Sequence, residues 1–256
     1  MKNNYKDQIY LGTVLLEKNR WAQVRTPTIN ISELLPHIAS AGFDGLELWQ
    51  NHALLASPKE KELLANSKLP VKILNSYARC ESEHENERIA SVELAKFLSV
   101  LGMKYNSGKD HNKHEEYCLN IKKWREMLPD DFRFLCECHG GTTLQKHNEA
   151  VNVLQKIIGA HYEVIIHAFG CDEKALKNLF EIHGHHITHI HANLSHRTIL
   201  TESDIQSKIN LMRELGFNGS YTIEFTEGVG EENENPETLL RNAIRDFVLL
   251  KKFLEK

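Results

Sequence analysis

The sequence predicts a (β/α)8 barrel of the TIM type, and three observations carry that prediction. The length of 256 residues is close to the roughly 250 that one such barrel takes. Short β-branched and aliphatic runs alternate with amphipathic helical patterns, the signature of a parallel sheet covered by helices. Helix stop signals stand ahead of several of the apolar runs. One barrel domain over 1–256 is therefore expected, since no long linker, repeat or low-complexity tract divides the chain.

In chain order the strands are expected at 10–15, 45–49, 71–75, 103–106, 133–138, 163–168, 187–192 and 221–225, the fourth having the weakest pattern. Between the second and third, Ser57-Pro58-Lys59-Glu60 reads as an N-cap, an N1 proline and a capping-box glutamate. Gly42, Gly102, Gly184 and Gly216 follow helical patterns and read as C-terminal stops. The last unit opens on Asn235-Pro236 and sets Leu239, Leu240, Ala243, Phe247 and Leu250 on one helical face. The acidic stretch 231–237 before it reads as a solvated loop.

Composition excludes several classes. With 31 Lys plus Arg against 35 Asp plus Glu and no basic run interleaved with aromatics, nucleic acid is not an expected partner. No apolar stretch approaches the ~20 residues that cross a bilayer, and the polar start MKNNYKDQ lacks the apolar segment of a signal peptide, so a cytoplasmic protein without membrane contact is expected. Cys80, Cys118, Cys136, Cys138 and Cys171 form no CxxC pair and are odd in number, which favours reduced thiols.

The 15 histidines are the compositional oddity, because many fall between His161 and His196. In a barrel, polar side chains near the C-terminal strand ends build the active site. The fifth strand ends Leu135-Cys136-Glu137-Cys138-His139, where the two-residue period puts Glu137 and His139 on one side and the cysteines on the other. The sixth ends in His167, the seventh sets His189 and His191 on one face, and the eighth brings Glu224. A lone histidine at a strand end is more often a hydrogen-bonded structural residue than a ligand. Glutamates and imidazoles converging from neighbouring strands are what a borderline divalent cation takes, and it would relieve the repulsion of the two carboxylates.

On the second strand, Glu47 is expected at the end and Trp49 in the loop beyond it, an apolar platform beside a carboxylate that suits a sugar; barrel packing is the rival account of Trp49. Tyr77, Lys109 and His52 read as pocket lining or loop residues, and His189 as a partner to a ligand or a core histidine.

Gly42-Phe43-Asp44-Gly45-Leu46-Glu47-Leu48-Trp49 is similar to the second-strand motif G-[FY]-x-G-[IV]-E of the xylose isomerase-like superfamily, and Glu137-Cys138-His139-Gly140-Gly141-Thr142 to its fifth-strand E-x-H-x-x-T. The resemblance, to sugar and sugar-phosphate isomerases and epimerases, runs along essentially the whole chain. It implies one divalent metal on Glu137, His167, His191 and Glu224. The superfamily's sixth strand usually carries Asp with His three residues later, whereas this chain has His167-Ala168-Phe169-Gly170. Two carboxylates with two imidazoles favour Zn, Mn, Fe or Co over Mg. Arg197, six residues after His191, matches an arginine that contacts substrate in the ketose 3-epimerase branch. A lysine follows the seventh-strand histidine by two residues in relatives that include dehydroshikimate dehydratases, and Asn193 stands there instead.

The activity implied is isomerisation or epimerisation by proton transfer beside a carbonyl through an enediolate, with Glu137 and Glu224 as the shuttling carboxylates and His139 positioning or protonating the substrate oxygen. Glu47, Trp49, Tyr77, Lys109 and Arg197 are the implied substrate contacts, and a small carbohydrate or cyclic polyol the implied partner. The alternatives are a lyase of the dehydroshikimate or inosose dehydratase type and a sugar-binding barrel without turnover. An endonuclease reading is disfavoured by the negative net charge and an incomplete trinuclear zinc pattern. Homo-oligomerisation is left open by the sequence.

Overall fold

Eight short strands close into one ring in chain order, each parallel to its neighbours, with β1 completing the circle against β8. The computed structural model describes residues 5–255, so the first four residues of the polar opening stretch lie outside it. The strands are β1 Ile9–Gly12, β2 Gly45–Trp49, β3 Val71–Asn75, β4 Gly102–Tyr105, β5 Arg133–Glu137, β6 Glu163–Ile166, β7 Ile187–Ala192 and β8 Ser220–Ile223. Around them lie α1 Ile31–Ala41, α2 Asn51–Leu54, α3 Pro58–Ala65, α4 Glu85–Phe97, α5 His114–Glu126, α6 His147–Ile157, α7 Glu173–His183, α8 Glu202–Glu214 and α9 Pro236–Leu254. Among the described residues no helix is long and apolar enough to cross a membrane.

Several local expectations needed revision. The first strand stops at Gly12 and the chain turns at Thr13–Leu16, because the Thr13 hydroxyl accepts from the backbone N–H of Trp49 at 2.9 Å and ties the chain to the end of β2. Gly102 is no helix stop but the first residue of β4; a Cβ there would meet Cβ of Arg133 at 2.8 Å. The left-handed turn after α4 is taken by Ser99, with φ of 53°. Ser57 does cap α3 by accepting from Glu60 N–H, but the Glu60 carboxylate reaches Ser32 in the first turn of α1, accepting from its N–H at 2.9 Å. The capping-box glutamate therefore joins two helices instead of closing its own. Gly42, Gly184 and Gly216 have positive φ at their helix ends, Asn235 caps α9, and the five apolar residues predicted for its inner face are buried.

The interior of the ring is unusually polar for a barrel, whose filling is mostly branched aliphatic side chains. At the N-terminal end of the strands Arg133 bonds Glu163 at 2.9 Å, the Thr188 carbonyl at 3.1 Å and Ser220 Oγ at 3.4 Å. Next comes Tyr10 stacked on His189, 5.9 Å between centroids. The apolar mass lies outside, between strands and helices, where Leu11, Leu46, Leu74, Cys136, Ile190 and Ile223 meet residues such as Trp124, Leu154 and Phe247.

His52 illustrates how burial sets a charge state. It lies 2.9 Å from Thr13 Oγ1 through Nδ1 and 2.9 Å from Glu17 Oε1 through Nε2. Burial pushes its pKa below 6.5 despite the pull of Glu17. A depressed imidazole pKa means that the unfolded chain takes up the proton first, so stability falls as pH drops through the ordinary imidazole range toward the folded value. His52→Gln is expected to flatten that fall in thermal melts between about pH 7.5 and about 5.5; an unchanged slope would show that His52 contributes nothing to it.

Candidate metal centre

Four side chains from consecutive strand ends meet at the mouth of the ring. Glu137 closes β5, His167 follows β6, His191 lies near the end of β7 and Glu224 follows β8. One ligand atom from each lies within 4.8 Å of all the others. Glu137, His191 and Glu224 are buried, while the His167 side chain is 41% exposed and faces the opening. The period of two along β5 turns Glu137 inward and leaves Cys136 and Cys138 packed against the helices.

The charges are arranged for a cation. His167 Nε2 is 2.8 Å from Glu137 Oε1. His191 Nδ1 lies 3.1 Å from Glu224 Oε1 and 3.6 Å from Glu137 Oε1, yet this buried nitrogen closes a hydrogen bond with neither. Its other nitrogen, Nε2, is 3.1 Å from Glu47 Oε2. When Nε2–H donates to Glu47, Nδ1 points its lone pair at two carboxylates, a repulsive contact unless a proton or metal ion stands between them. An orphaned imidazole nitrogen facing two carboxylates fits a divalent metal, and Glu137, His167, His191 and Glu224 are the residues that would hold it. Burial alone would raise the glutamate pKa values, but Lys104 with the two histidines holds Glu137 well below the usual carboxylate range, and His191 with His167 lowers Glu224. Both are ionised, and against the effect of burial Glu224 and Glu47 hold His191 well above its ordinary value.

Two contributors were not foreseen. Lys104, in the middle of β4, is buried and places Nζ 2.8 Å from Glu137 Oε2 and 3.9 Å from Glu224 Oε1; these carboxylates, outweighing burial, keep the ammonium charged. Asn106 donates to Glu137 Oε2 at 3.0 Å. Lysine inside a short strand looks like a solvent-facing residue in sequence, and only ring closure brings the carboxylates to it.

The second strand has the bounds 45–49 expected for it, but Glu47 is then not at its end and Trp49 is not in the loop beyond it. β2 continues two residues past Glu47, so this carboxylate sits below the metal ligands, fully buried. It accepts from Asn75 Nδ2 at 3.0 Å and Thr222 Oγ1 at 2.9 Å as well as meeting His191. Trp49 is the last strand residue, fully buried and edge-on to Tyr77 and His52. Neither lines the cavity above the cluster, so a direct substrate contact by either is not supported. His189 is buried against Ser220 and Thr222 beneath the cluster, and His52 belongs to the Glu17 network.

That cavity, about 740 Å³, has the four ligands and Lys104 among its lining. Tyr77, Lys109, His139 and Arg197 line it, together with Trp21, Arg25, His196 and Phe225. His139 lies past the strand end, where alternation no longer holds; it is exposed, with Nδ1 2.7 Å from the Gly140 carbonyl. Arg197 adopts φ of 59°, a left-handed conformation that is uncommon for a residue other than glycine. Asn193 Oδ1 accepts from the Phe225 N–H, just past β8, at 3.0 Å, and its Nδ2 lies 3.5 Å from Glu224 Oε2.

Comparison with known proteins gives no matching family model and no matching curated protein. Solved structures do match along nearly the whole chain. A 3-keto-D-glucoside 4-epimerase, YcjR, from E. coli is 12% identical with a TM-score of 0.66, over 96% of this chain and 100% of that one. The probable 3-DHS dehydratase AsbF of petrobactin synthesis from Bacillus anthracis is 15% identical with a TM-score of 0.65, over 94% and 98%. An AP endonuclease of family 2 from Brucella melitensis is 16% identical with a TM-score of 0.62, over 91% and 96%. The chain shares the TIM-barrel fold of these structures. At these identities the likeness establishes architecture, and function has to be argued from the site.

Proposed function

We propose that this protein is a metal-dependent isomerase or epimerase of a sugar or sugar phosphate. The observation that carries the reading is the closure of Glu137, His167, His191 and Glu224 within 4.8 Å at the floor of a cavity with aromatic and basic walls. When bound, a divalent cation supplies polarisation of a carbonyl and its neighbouring hydroxyl. The two carboxylates are not equivalent. Glu137 is committed on both oxygens, Oε1 to His167 and Oε2 to Lys104 and Asn106. Glu224 meets His191 Nδ1 at 3.1 Å and Lys104 at 3.9 Å through Oε1, and its Oε2 has only the longer contacts of Asn193 at 3.5 Å and His167 at 3.6 Å. Glu224 is therefore the base that takes the proton beside the carbonyl, and Glu137 is the held partner. The Lys104 ammonium stabilises negative charge on a nearby substrate oxygen. Trp21, Tyr77 and Phe225 suit the C–H face of a sugar, and Arg25, Lys109 and Arg197 at the walls suit a phosphate.

The test is proton exchange. The metal-loaded protein, incubated in D2O with a panel of ketoses, aldoses, 3-keto glycosides and their phosphates, is expected to wash deuterium into the carbon next to the carbonyl. Glu224→Gln should slow that exchange by roughly 10²–10⁴-fold. Diene or enone absorbance without exchange would assign a dehydratase instead, and binding without exchange a non-catalytic barrel. The donor set favours Zn, Mn, Fe or Co, so elemental analysis returning Mg alone would refute the metal assignment.

A further inference from the structure

Outside the ring, on the face of β5 opposite Glu137, three other side chains come together from separate elements. Cys138 follows β5, His147 is the first residue of α6 and His183 the last of α7. Their Sγ and ring nitrogens offer one atom each, all within 4.8 Å of one another. Cys138 and His183 are 9% and 2% exposed, and His147 is half-buried.

The hydrogen-bond pattern orients the rings inward. His147 Nδ1 lies 2.9 Å from His183 Nε2, two nitrogens that need one proton between them. The other nitrogen of His183, Nδ1, lies 3.4 Å from the Tyr162 hydroxyl. With Nδ1–H donated to Tyr162, Nε2 carries its lone pair toward Cys138 and His147, the arrangement in which a protein fixes the tautomer of a metal-ligating histidine. A cation taking the place of the shared proton would meet one sulfur and two imidazole donors, a set that selects zinc-class ions and rejects Mg and Ca.

We propose that Cys138, His147 and His183 form a second metal site, for a zinc-class divalent cation, that clamps the end of β5 to α6 and α7. Because Cys138 directly follows Glu137, the clamp also fixes one carboxylate of the inner centre. The inference stands independently of the activity proposed above, since it uses none of the inner ligands.

Sulfur separates the two sites, because the inner cluster contains none. The full-length protein, stripped of metal with a chelator and titrated with Co(II), is expected to develop a near-ultraviolet thiolate-to-cobalt charge-transfer band. His167→Ala, which impairs the inner centre, should keep that band, and Cys138→Ser should lose it. Tyr162→Phe, a milder change that leaves the ligands in place, should weaken the affinity read from the band by roughly 10- to 100-fold. Zn(II) should raise the melting temperature of His167→Ala by more than that of the double variant His167→Ala/His147→Ala, in which both sites are impaired. Cobalt binding without the band in the wild-type protein, or a band that survives in Cys138→Ser, would overturn the proposal. Should Cys138→Ser fail to fold, His147→Ala and Tyr162→Phe decide: unchanged affinity in both refutes the site.

Discussion

Lys104→Met is expected to cost about 3–5 kcal/mol of stability in the metal-free protein, the usual penalty for removing one partner of a buried ion pair, and much less once divalent metal is added. The side chain is 3% exposed and its ammonium stands 2.8 Å from Glu137. Methionine fills nearly the same volume, so the loss isolates charge from packing. Without the ammonium, Glu137 and Glu224 face each other with only the imidazoles between them. A metal ion would neutralise the same pair, so lysine and metal compete for the carboxylates. The thermodynamic cycle then requires the variant to bind metal more tightly, by whatever stability the metal restores. Urea unfolding in chelator and in saturating Mn(II) or Zn(II) measures both legs. Equal losses under the two conditions would mean that Lys104 and the metal do not compete for the two carboxylates.

The inner four residues were legible because each obeys two rules at once: a strand that ends in a polar residue, and a two-residue period that turns it inward. Glu137, His167, His191 and Glu224 came out of the sequence as a set, and the structure brings that set together. Glu47 obeys the same period but was placed one layer too high. The strand runs on to Trp49, and two residues of strand lower a side chain by about 7 Å. Lys104 was invisible for a different reason. Its strand is short, and nothing in Gly102-Met103-Lys104-Tyr105 shows that carboxylates from β5 and the end of β8 will surround the lysine. Cys138, His147 and His183 share no recognisable spacing either, because two helices and a strand deliver them. Local pattern thus predicts which residues enter the ring, whereas partners that depend on closure or on helix docking emerge only in three dimensions.

Glu47→Gln is expected to weaken metal binding at the inner centre by roughly 10- to 100-fold, the range typical of losing the partner that orients a ligating histidine. Glu47 touches no ligand position directly; it acts through His191, whose Nε2 it faces at 3.1 Å. Against the cost of burial, His191 and His189 hold the Glu47 carboxyl well below the usual range, so its negative charge is permanent at neutral pH. That charge makes the His191 ring a better donor to metal and fixes which nitrogen bears the proton. Glutamine keeps the size and one acceptor but lacks the charge, and its amide group must face Thr222 or Asn75, both of which now donate to Glu47. The ring should therefore remain closed while affinity falls. Glu47→Ala goes further: it strips acceptors from Asn75, Thr222 and His191 together and should cost about 3–5 kcal/mol of stability. Metal titration of Glu47→Gln beside wild type, with circular dichroism to show that the barrel is intact, separates orientation from folding. Wild-type affinity in a folded Glu47→Gln protein would mean that His191 is held in place by barrel packing and that the buried carboxylate does not tune the centre.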